Sequence, residues 1–72
     1  MKPSFAIVGC GKVGTALGMF MTAAGYKAAG VADRRLSAAE QTASAIQADC
    51  FSDVAWEVTG NADIVFITTP DT

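Results

Sequence analysis

The sequence contains no histidine and only two cysteines, Cys10 and Cys50, among its 72 residues. Without histidine, and without cysteines at metal-ligand spacing, the chain cannot form a zinc site or a Cys/His nucleophile. We therefore expect no metal, and these residue types identify no catalytic residue. Two thiols without a pairing pattern are typical of a reducing compartment, which predicts free cysteines and a cytoplasmic protein.

Charge and long apolar runs are also scarce. Charged residues make up 17% of the chain, the net charge is −2, and no block of either sign occurs. A nucleic-acid-binding face and a membrane-surface helix are therefore not expected. The weakly charged residues 13–32 contain Lys27 and are interrupted at Gly25 and Gly30, which argues against a membrane span of about 20 apolar residues. The 51% of hydrophobic residues instead predicts a globular domain with no nucleic-acid or membrane partner.

The most informative stretch is an apolar run, residues 5–8, that leads directly into three glycines spaced Gly-x-Gly-x-x-Gly. In a dinucleotide-binding βα turn, Gly9 allows the tight turn, Gly11 lets a pyrophosphate approach the backbone, and Gly14 lets the helix lie close to the sheet. The helix that begins here directs its free N–H groups and the positive end of its dipole at the loop. The expected ligand of this loop is a phosphate group.

An acid completes this fingerprint. Asp33 stands nineteen residues after Gly14, at the end of the predicted second strand, where a carboxylate accepts hydrogen bonds from an adenosine ribose. S-adenosylmethionine is disfavoured by the glycine spacing and by the lack of an acid near Ile7, and FAD by aspartate rather than glutamate at position 33. A βα turn that binds no ligand is the structural alternative. The pattern favours a dinucleotide.

The choice between NAD and NADP depends on the arginines that follow Asp33. A carboxylate repels the 2′-phosphate of NADP, whereas a guanidinium binds it. We expect Arg34 at the site and Arg35 pointing away, with a solvated surface pair as the alternative. These signals conflict, so the predicted cofactor is NADP or NAD, with a slight preference for NADP.

The pattern of strands and helices predicts the order βαβα(β)αβ. Strands are expected at residues 5–8, 26–32 and 63–68, with a brief strand or extended connection at 48–51. Right-handed crossovers then give a parallel sheet in the order 3-2-1-4 with helices on both faces. The predicted fold class is α/β, half of a doubly wound Rossmann sheet.

The helices carry further expectations. In the first helix, Val13, Leu17, Phe20 and Ala24 are predicted to form one apolar stripe. Gly14 and Gly18 are expected on the face nearest the sheet, and Gly25 is the expected stop. A capping box at Ser37 is expected to open the second helix, which buries Ala39, Ala43 and Ile46 and runs to about Gln47. The third helix is expected to start near Ser52 and to end at Gly60. Its Trp56 is interpreted as a packing or partner residue rather than one that stacks on a ligand.

Three parts of the chain carry a family resemblance: residues 7–14, the acid–arginine turn and residues 60–71. Together they resemble the N-terminal NAD(P)-binding domain of the pyrroline-5-carboxylate reductase-like and 6-phosphogluconate dehydrogenase-like oxidoreductases. The Val-Ala-Asp-Arg turn is equally similar to sugar-dehydrogenase-like families, whose cofactor use is mixed. The resemblance implies that residues 68–70 line the ribose and nicotinamide half of the cofactor. The expected cofactor-binding set is Gly9, Cys10, Gly11, Lys12, Val13, Gly14, Asp33, Arg34, Thr68, Thr69 and Pro70.

Residues 1–72 are therefore expected to form a single, truncated dinucleotide-binding domain, because a complete fold of this type has a second half. The expected function is hydride transfer between a nicotinamide cofactor and an unknown small substrate, with the catalytic groups in a following C-terminal domain. A non-catalytic nucleotide-sensing module and a fragment that binds nothing are the alternatives. The apolar last strand has no neighbour beyond it, which predicts self-association.

Overall fold

A computed structural model describes residues 2–68. Its elements are β1 (Ser4–Val8), α1 (Lys12–Ala23), β2 (Lys27–Ala32), α2 (Leu36–Ile46), β3 (Phe51–Ser52), α3 (Trp56–Thr59) and β4 (Ile64–Ile67). The four strands are parallel and lie in the order β3-β2-β1-β4, which confirms the predicted sheet. Because parallel strands share one carboxyl edge, the loops that follow β1, β2 and β4 meet there.

One face of the sheet carries the main core. Phe5 and Ile7 of β1 are completely buried together with Val31 of β2. The helices α1 and α2 cover this face. A Cβ atom at Gly18 of α1 would lie 2.9 Å from Ile7 Cδ1 and 3.0 Å from Ile46 Cδ1 of α2. Burial of each large side chain here contributes about 1.5–3 kcal/mol, so this face of β1 and β2 is a main source of stability.

The opposite face is covered by α3 through the buried Val58. This helix lies so close to β2 that a Cβ atom at Gly30 would be 2.8 Å from Val58 Cβ and 2.9 Å from Cys50 Sγ. The small residues of β2, which lower its strand propensity, thus make room for α3. Helices cover both faces of the sheet, as predicted.

The predicted position of Gly14 and Gly18 on the sheet-facing side of α1 is confirmed, whereas the predicted apolar stripe is not a buried face. The buried residues of this helix are Gly14 and Gly18, whereas Val13 and Phe20 are each 70% exposed. The two glycines lie four residues apart and form the face that approaches the sheet. Since they bring the helix axis close, the large side chains at Val13 and Phe20 lie on the outer side of the helix.

The ends of the helices follow the predictions in part. Gly25 has a φ of 97°, so the predicted stop of α1 is confirmed. The capping box at Ser37 is wrong, because α2 begins at Leu36 with Arg35 as N-cap and no side-chain cap. Its predicted buried face is correct: Ala39, Ala43 and Ile46 are buried. Gly60 ends α3, as predicted, but this helix begins only at Trp56.

The strand β4 pairs with β1 and alternates in exposure. Ile64 and Phe66 are half-buried, and the Phe66 ring packs edge-on against Phe5 with centroids 6.2 Å apart. Val65 and Ile67 point the other way, and Ile67 is 72% exposed. The strand β4 thus has apolar residues on both faces, but other residues of the described range 2–68 cover only one of these faces.

Neither membrane-spanning helices nor metal clusters are found in residues 2–68. No helix in this range combines the length and apolarity required to cross a membrane. No group of three potential metal-ligating side chains occurs there either. Cys10 and Cys50 are both free, with Cys10 buried and Cys50 half-buried.

Candidate functional site

The glycine-rich loop between β1 and α1 is held by strands on both sides. Gly9 has a φ of 103°, the left-handed conformation expected for the tight turn. Its N–H donates to the Ala32 carbonyl of β2 at 2.7 Å. Its own carbonyl oxygen accepts a hydrogen bond of 2.6 Å from the hydroxyl of Thr68, the residue that follows β4. The loop is thus fixed at the carboxyl edge of the sheet.

The other two glycines of the fingerprint serve different purposes. A Cβ atom at Gly14 would lie 2.1 Å from the Gly9 carbonyl oxygen and 2.7 Å from Thr68 Oγ1, so α1 can start this close only with glycine there. At Gly11 a Cβ atom would meet nothing within 4 Å, and φ is an ordinary −81°. Neither crowding nor backbone strain requires glycine at this position. The missing side chain instead leaves open space above the loop.

The N-terminus of α1 faces this open space. Gly11 is the N-cap, and its carbonyl accepts the first helical bond from the Thr15 N–H at 2.9 Å. No side chain caps this end, and the first turn contains no acidic residue. Its leading N–H groups have no acceptor within the helix, and the dipole adds positive potential. The exposed Lys12 lies on this turn. The arrangement suits an anion such as phosphate.

Asp33 connects the loop to the start of α2. Its Oδ2 atom accepts the Cys10 backbone N–H at 2.7 Å. Its Oδ1 atom accepts the Arg35 backbone N–H at 2.8 Å and the Arg35 Nε–H at 3.2 Å. The Arg35 Nη2 group donates to Oδ2 at 3.4 Å. The Asp33 side chain is only 10% exposed, whereas that of Arg35 is 68% exposed.

These contacts set the charge of Asp33. Partial burial raises the pKa of this carboxyl, but the Arg35 side chain and the backbone N–H groups of Arg35 and Cys10 outweigh it and lower the pKa from 3.8 to about 2. The same pair raises the pKa of the Arg35 guanidinium. Asp33 is therefore an anion at neutral pH, and its bond from Cys10 is charge-assisted.

The Cys10 thiol lies beside the end of β2. It is buried, and its Sγ atom lies 3.7 Å from the Ala32 carbonyl oxygen as a weak donor. Burial raises the pKa of this thiol, although the hydrogen bond with Thr42 opposes the rise. The protonated form therefore prevails at neutral pH, and a protonated thiol is a poor nucleophile.

A cavity of about 540 Å³ opens beside the loop, between α1 and α2. On its wall, Thr15 Oγ1 of α1 and Thr42 Oγ1 of α2 form a hydrogen bond of 3.1 Å. Lys12 and Arg35 are the cations among the lining residues. The full lining consists of Cys10, Gly11, Lys12, Thr15, Ala16, Met19, Arg35, Ala38, Gln41 and Thr42.

Most of the residues expected at the site lie together. Residues 9–14, Asp33 and Thr68 meet at the carboxyl edge of the sheet. Thr69 and Pro70 lie outside the described residues. The expectation for the two arginines is reversed, because Arg35 pairs with Asp33 and lines the cavity, whereas the exposed Arg34 does neither. A carboxylate often accepts the N–H two residues further along, and this spacing could have indicated Arg35.

The cavity also includes residues that the sequence did not single out. Thr15 lies in the first turn of α1, directly after Gly14, and this position in the sequence is a signal for a residue near the loop. Thr42 and Gln41 belong to α2 and reach the cavity only because α1 and α2 pack side by side. No local pattern identifies them, since their place depends on tertiary packing.

Comparison with known proteins agrees with this geometry. Residues 4–72 match the GFO/IDH/MocA oxidoreductase family, described as having an NAD-binding Rossmann fold. No match is found among curated proteins. Among solved structures, the chain is similar to the UDP-N-acetylglucosamine 3-dehydrogenase GnnA from Acidithiobacillus ferrooxidans, with a TM-score of 0.80 and 24% identity. This match covers 97% of the chain and 22% of the dehydrogenase, and it shows the shared fold.

The family match confirms the general resemblance to NAD(P)-binding oxidoreductases and supports a nicotinamide dinucleotide as the cofactor. It does not support the narrower assignment to pyrroline-5-carboxylate reductase-like or 6-phosphogluconate dehydrogenase-like proteins. The glycine loop, the acid after β2 and the sheet order are common to many such families, which explains why they identify the fold more sharply than the family. The chain belongs to the GFO/IDH/MocA family of oxidoreductases, whose NAD-binding Rossmann fold its residues 4–72 match.

Proposed function

We propose that residues 1–72 are the dinucleotide-binding domain of a longer oxidoreductase that transfers hydride between a nicotinamide cofactor and a small substrate. The observation that carries this proposal is the open space at Gly11, which lies against the uncapped N-terminus of α1. The chain spans 22% of the dehydrogenase structure it matches, which supports the proposal that catalytic and substrate-binding residues belong to a following domain.

The proposed cofactor position follows from the chemistry of the loop. The pyrophosphate lies over Gly11 and accepts hydrogen bonds from the first turn of α1, where Lys12 and Val13 follow the loop. The adenosine ribose lies at the end of β2, beside Asp33. The ribose and nicotinamide half extends toward residues 68–70. The hydrogen bond between Thr68 and Gly9 supports this direction, because it sets the end of β4 against the loop.

In this arrangement the chain binds and orients, and the nicotinamide ring supplies the hydride chemistry. The N–H groups of the loop and helix offset the charge of the pyrophosphate. Asp33 holds the loop through Cys10 and thereby sets the distance between the phosphate and ribose positions. None of the described residues is assigned an acid, base or nucleophile role.

We further propose that both NAD and NADP are accepted, with a slight preference for NADP. The ion pair offsets the negative charge of Asp33 that would otherwise repel a 2′-phosphate. Arg35 rather than Arg34 is the guanidinium in this proposal, because it lines the cavity together with Lys12. The alternative of a non-catalytic sensor is not favoured by any contact within residues 2–68.

The substrate belongs to the proposed following domain. The solved structure that the chain resembles is a UDP-N-acetylglucosamine 3-dehydrogenase. A sugar hydroxyl is therefore the first substrate class to test with the longer protein, and turnover with NAD or NADP is the readout.

Replacing Gly11 with valine tests the proposed function. The variant should fold, because a side chain there meets no atom within 4 Å and φ is −81°. It should lose dinucleotide binding by 100-fold or more, an estimate of about 3 kcal/mol for a side chain in the space of the pyrophosphate. Calorimetric titration with NAD and NADP measures the loss.

Gly60→Ala is the matched control, since Gly60 also has open space around it and lies away from the loop. It should bind as the parent does. Equal binding by Gly11→Val and the parent, with both chains folded by circular dichroism, would show that the glycine loop does not hold the pyrophosphate.

A further inference from the structure

The buried hydroxyl of Thr42 lies between α2 and the first turn of α1. Thr42 is 4% exposed, and burial of a hydroxyl costs free energy unless it is hydrogen-bonded. A threonine inside a helix commonly bonds back to a carbonyl of its own helix. Thr22 of α1 does so and donates to the Gly18 carbonyl at 3.0 Å. The Thr42 hydroxyl instead reaches Thr15 Oγ1 of α1 at 3.1 Å, so it joins two elements.

The two residues that Thr42 contacts lie on either side of Gly11 in the sequence. Thr15 closes the first turn of α1, because its N–H donates to the Gly11 carbonyl at 2.9 Å. Before Gly11, the Cys10 side chain is hydrogen-bonded with Thr42. One side chain of α2 therefore contacts both ends of residues 10–15, the segment that borders the space over Gly11.

The contact between α1 and α2 changes character one turn further along the helices. There, Gly18 lies against Ile46, and a Cβ atom at Gly18 would be 3.0 Å from Ile46 Cδ1. An apolar contact is non-directional, so it brings the helices close without fixing how α1 is rotated about its axis. A hydrogen bond has a preferred direction and weakens when it is bent. The bond between Thr15 and Thr42 is therefore suited to set the rotation of the first turn of α1.

We propose that Thr42 is a positioning residue for the pyrophosphate of the cofactor. Its hydroxyl holds the first turn of α1 in the orientation at which the free N–H groups of that turn point into the space over Gly11. Hydrogen bonds from these groups to phosphate weaken steeply as they bend, so a small rotation of the turn lowers the affinity. This inference rests on the proposed function, in which the pyrophosphate lies over Gly11.

The hydroxyl of Thr42 and its shape can be separated by two substitutions. Thr42→Val keeps the branched shape and removes the hydroxyl, whereas Thr42→Ser keeps the hydroxyl and removes a methyl group. If Thr42 acts through its hydrogen bonds, the serine variant should bind dinucleotides as the parent does and the valine variant should bind them more weakly. If Thr42 only fills space between the helices, the order of the two variants is reversed.

The experiment titrates the 72-residue chain and its variants calorimetrically with NAD and with NADP. Thr42→Val should bind both on the order of fivefold more weakly, as expected for the loss of one buried hydrogen bond. The factor should be the same for the two cofactors, because they share the pyrophosphate and differ only at the ribose. Thr42→Ser should stay within about twofold of the parent. Thr22→Val, which removes a hydroxyl near the other end of α1, is the matched control and should bind as the parent does.

A double-mutant cycle with Thr15→Val tests the hydrogen bond between the two threonines. Thr15→Val should also weaken dinucleotide binding, and the variant with both substitutions should bind little more weakly than Thr42→Val alone. Losses that multiply would show that the two hydroxyls act independently, which would overturn the proposed role of their bond. Urea unfolding ensures that folded chains are compared. If Thr42→Val does not fold, Thr15→Val carries the test, because it removes the same bond from the side of α1.

The outcomes separate this inference from the proposed function. If the parent binds a dinucleotide and Thr42→Val binds it equally well, Thr42 does not position the turn, while the proposed site remains. A loss for only one of the two cofactors would also overturn the inference, since such an effect arises at the ribose. If the parent binds neither dinucleotide, the proposed function fails and this inference fails with it.

Discussion

The two paired strands β1 and β4 have similarly apolar sequences but very different surroundings. β1 buries Phe5, Ala6 and Ile7 completely, with α1 and α2 on one face and α3 on the other. β4 has one covered face, and its outer face carries Ile67 at 72% exposure. Near it in the chain, Trp56 of α3 is 79% exposed. The difference shows that an apolar strand sequence predicts the need for cover on both faces, while the cover itself is supplied by other elements.

The largest expected effect concerns close packing around the loop. Gly14→Ala should destabilise the chain by about 3 kcal/mol or more, because its Cβ atom would lie 2.1 Å from the Gly9 carbonyl oxygen. For a domain of this size that is most of the stability. Urea unfolding followed by circular dichroism measures the loss.

The same substitution at the other end of the molecule is the control. Gly60 ends α3 with a φ of −66° and has open space around it, so Gly60→Ala should stabilise the chain by about 0.5 kcal/mol. If Gly14→Ala unfolds at the same urea concentration as the parent, α1 is not held against the loop as closely as described.

The second prediction concerns the exposed face of β4. We expect the 72-residue chain to self-associate through this face, and Ile67→Lys should weaken association on the order of tenfold by placing a charge in an apolar contact. Val13→Lys, at an equally exposed apolar position on α1, should have little effect. Phe66→Lys is a poorer test, because Phe66 packs against Phe5 and the change would damage the core.

Sedimentation velocity over a range of concentrations measures this association. A parent chain that remains monomeric would contradict the prediction. Equal weakening by Ile67→Lys and Val13→Lys would place the contact elsewhere.

The smallest expected effect is the dependence of stability on acid. The carboxyl pKa of Asp33 is about 2 in the folded chain and near 3.8 without its partners. Because the folded value is the lower one, its stabilisation is complete above about pH 4 and is lost as the pH falls toward 2. We expect a loss of about 1–2 kcal/mol, reduced from the full value because Arg35 is exposed to solvent.

Urea unfolding at about pH 5 and about pH 2.5 tests this loss. At about pH 5, Asp33→Asn should unfold at a lower urea concentration than the parent. Between about pH 5 and about pH 2.5, it should lose less stability than the parent does. An equal loss in both chains would assign the acid sensitivity to other carboxylates.

Prediction from sequence succeeded where the requirement is local. Gly9 and Gly25 adopt positive φ values as their turns require, and Gly14 is the close-contact glycine. Strand order followed from the handedness of the crossovers. These features depend on backbone geometry and chirality, which a short stretch of residues determines.

It failed where the outcome depends on neighbouring elements. The sequence correctly predicted that Gly14 and Gly18 face the sheet. It did not predict that Val13 and Phe20 lie on the outer side of α1, because helical periodicity groups apolar residues without showing which group is covered. The start of α2 at Leu36 and the exchanged roles of Arg34 and Arg35 have a local cause instead. The Arg35 N–H binds Asp33 two residues earlier, and this turn precedes the expected cap at Ser37.

The loop between β1 and α1 is anchored three times, by Gly9 to Ala32, by Thr68 to Gly9 and by Cys10 to Asp33. In the proposed function, a phosphate would meet N–H groups already in position there, so little conformational entropy would be lost on binding. Association of the cofactor should then be fast, and differences in affinity should come mainly from its dissociation rate. We therefore expect the backbone of this loop to keep its conformation when the proposed cofactor binds, with adjustment in the exposed side chains around it.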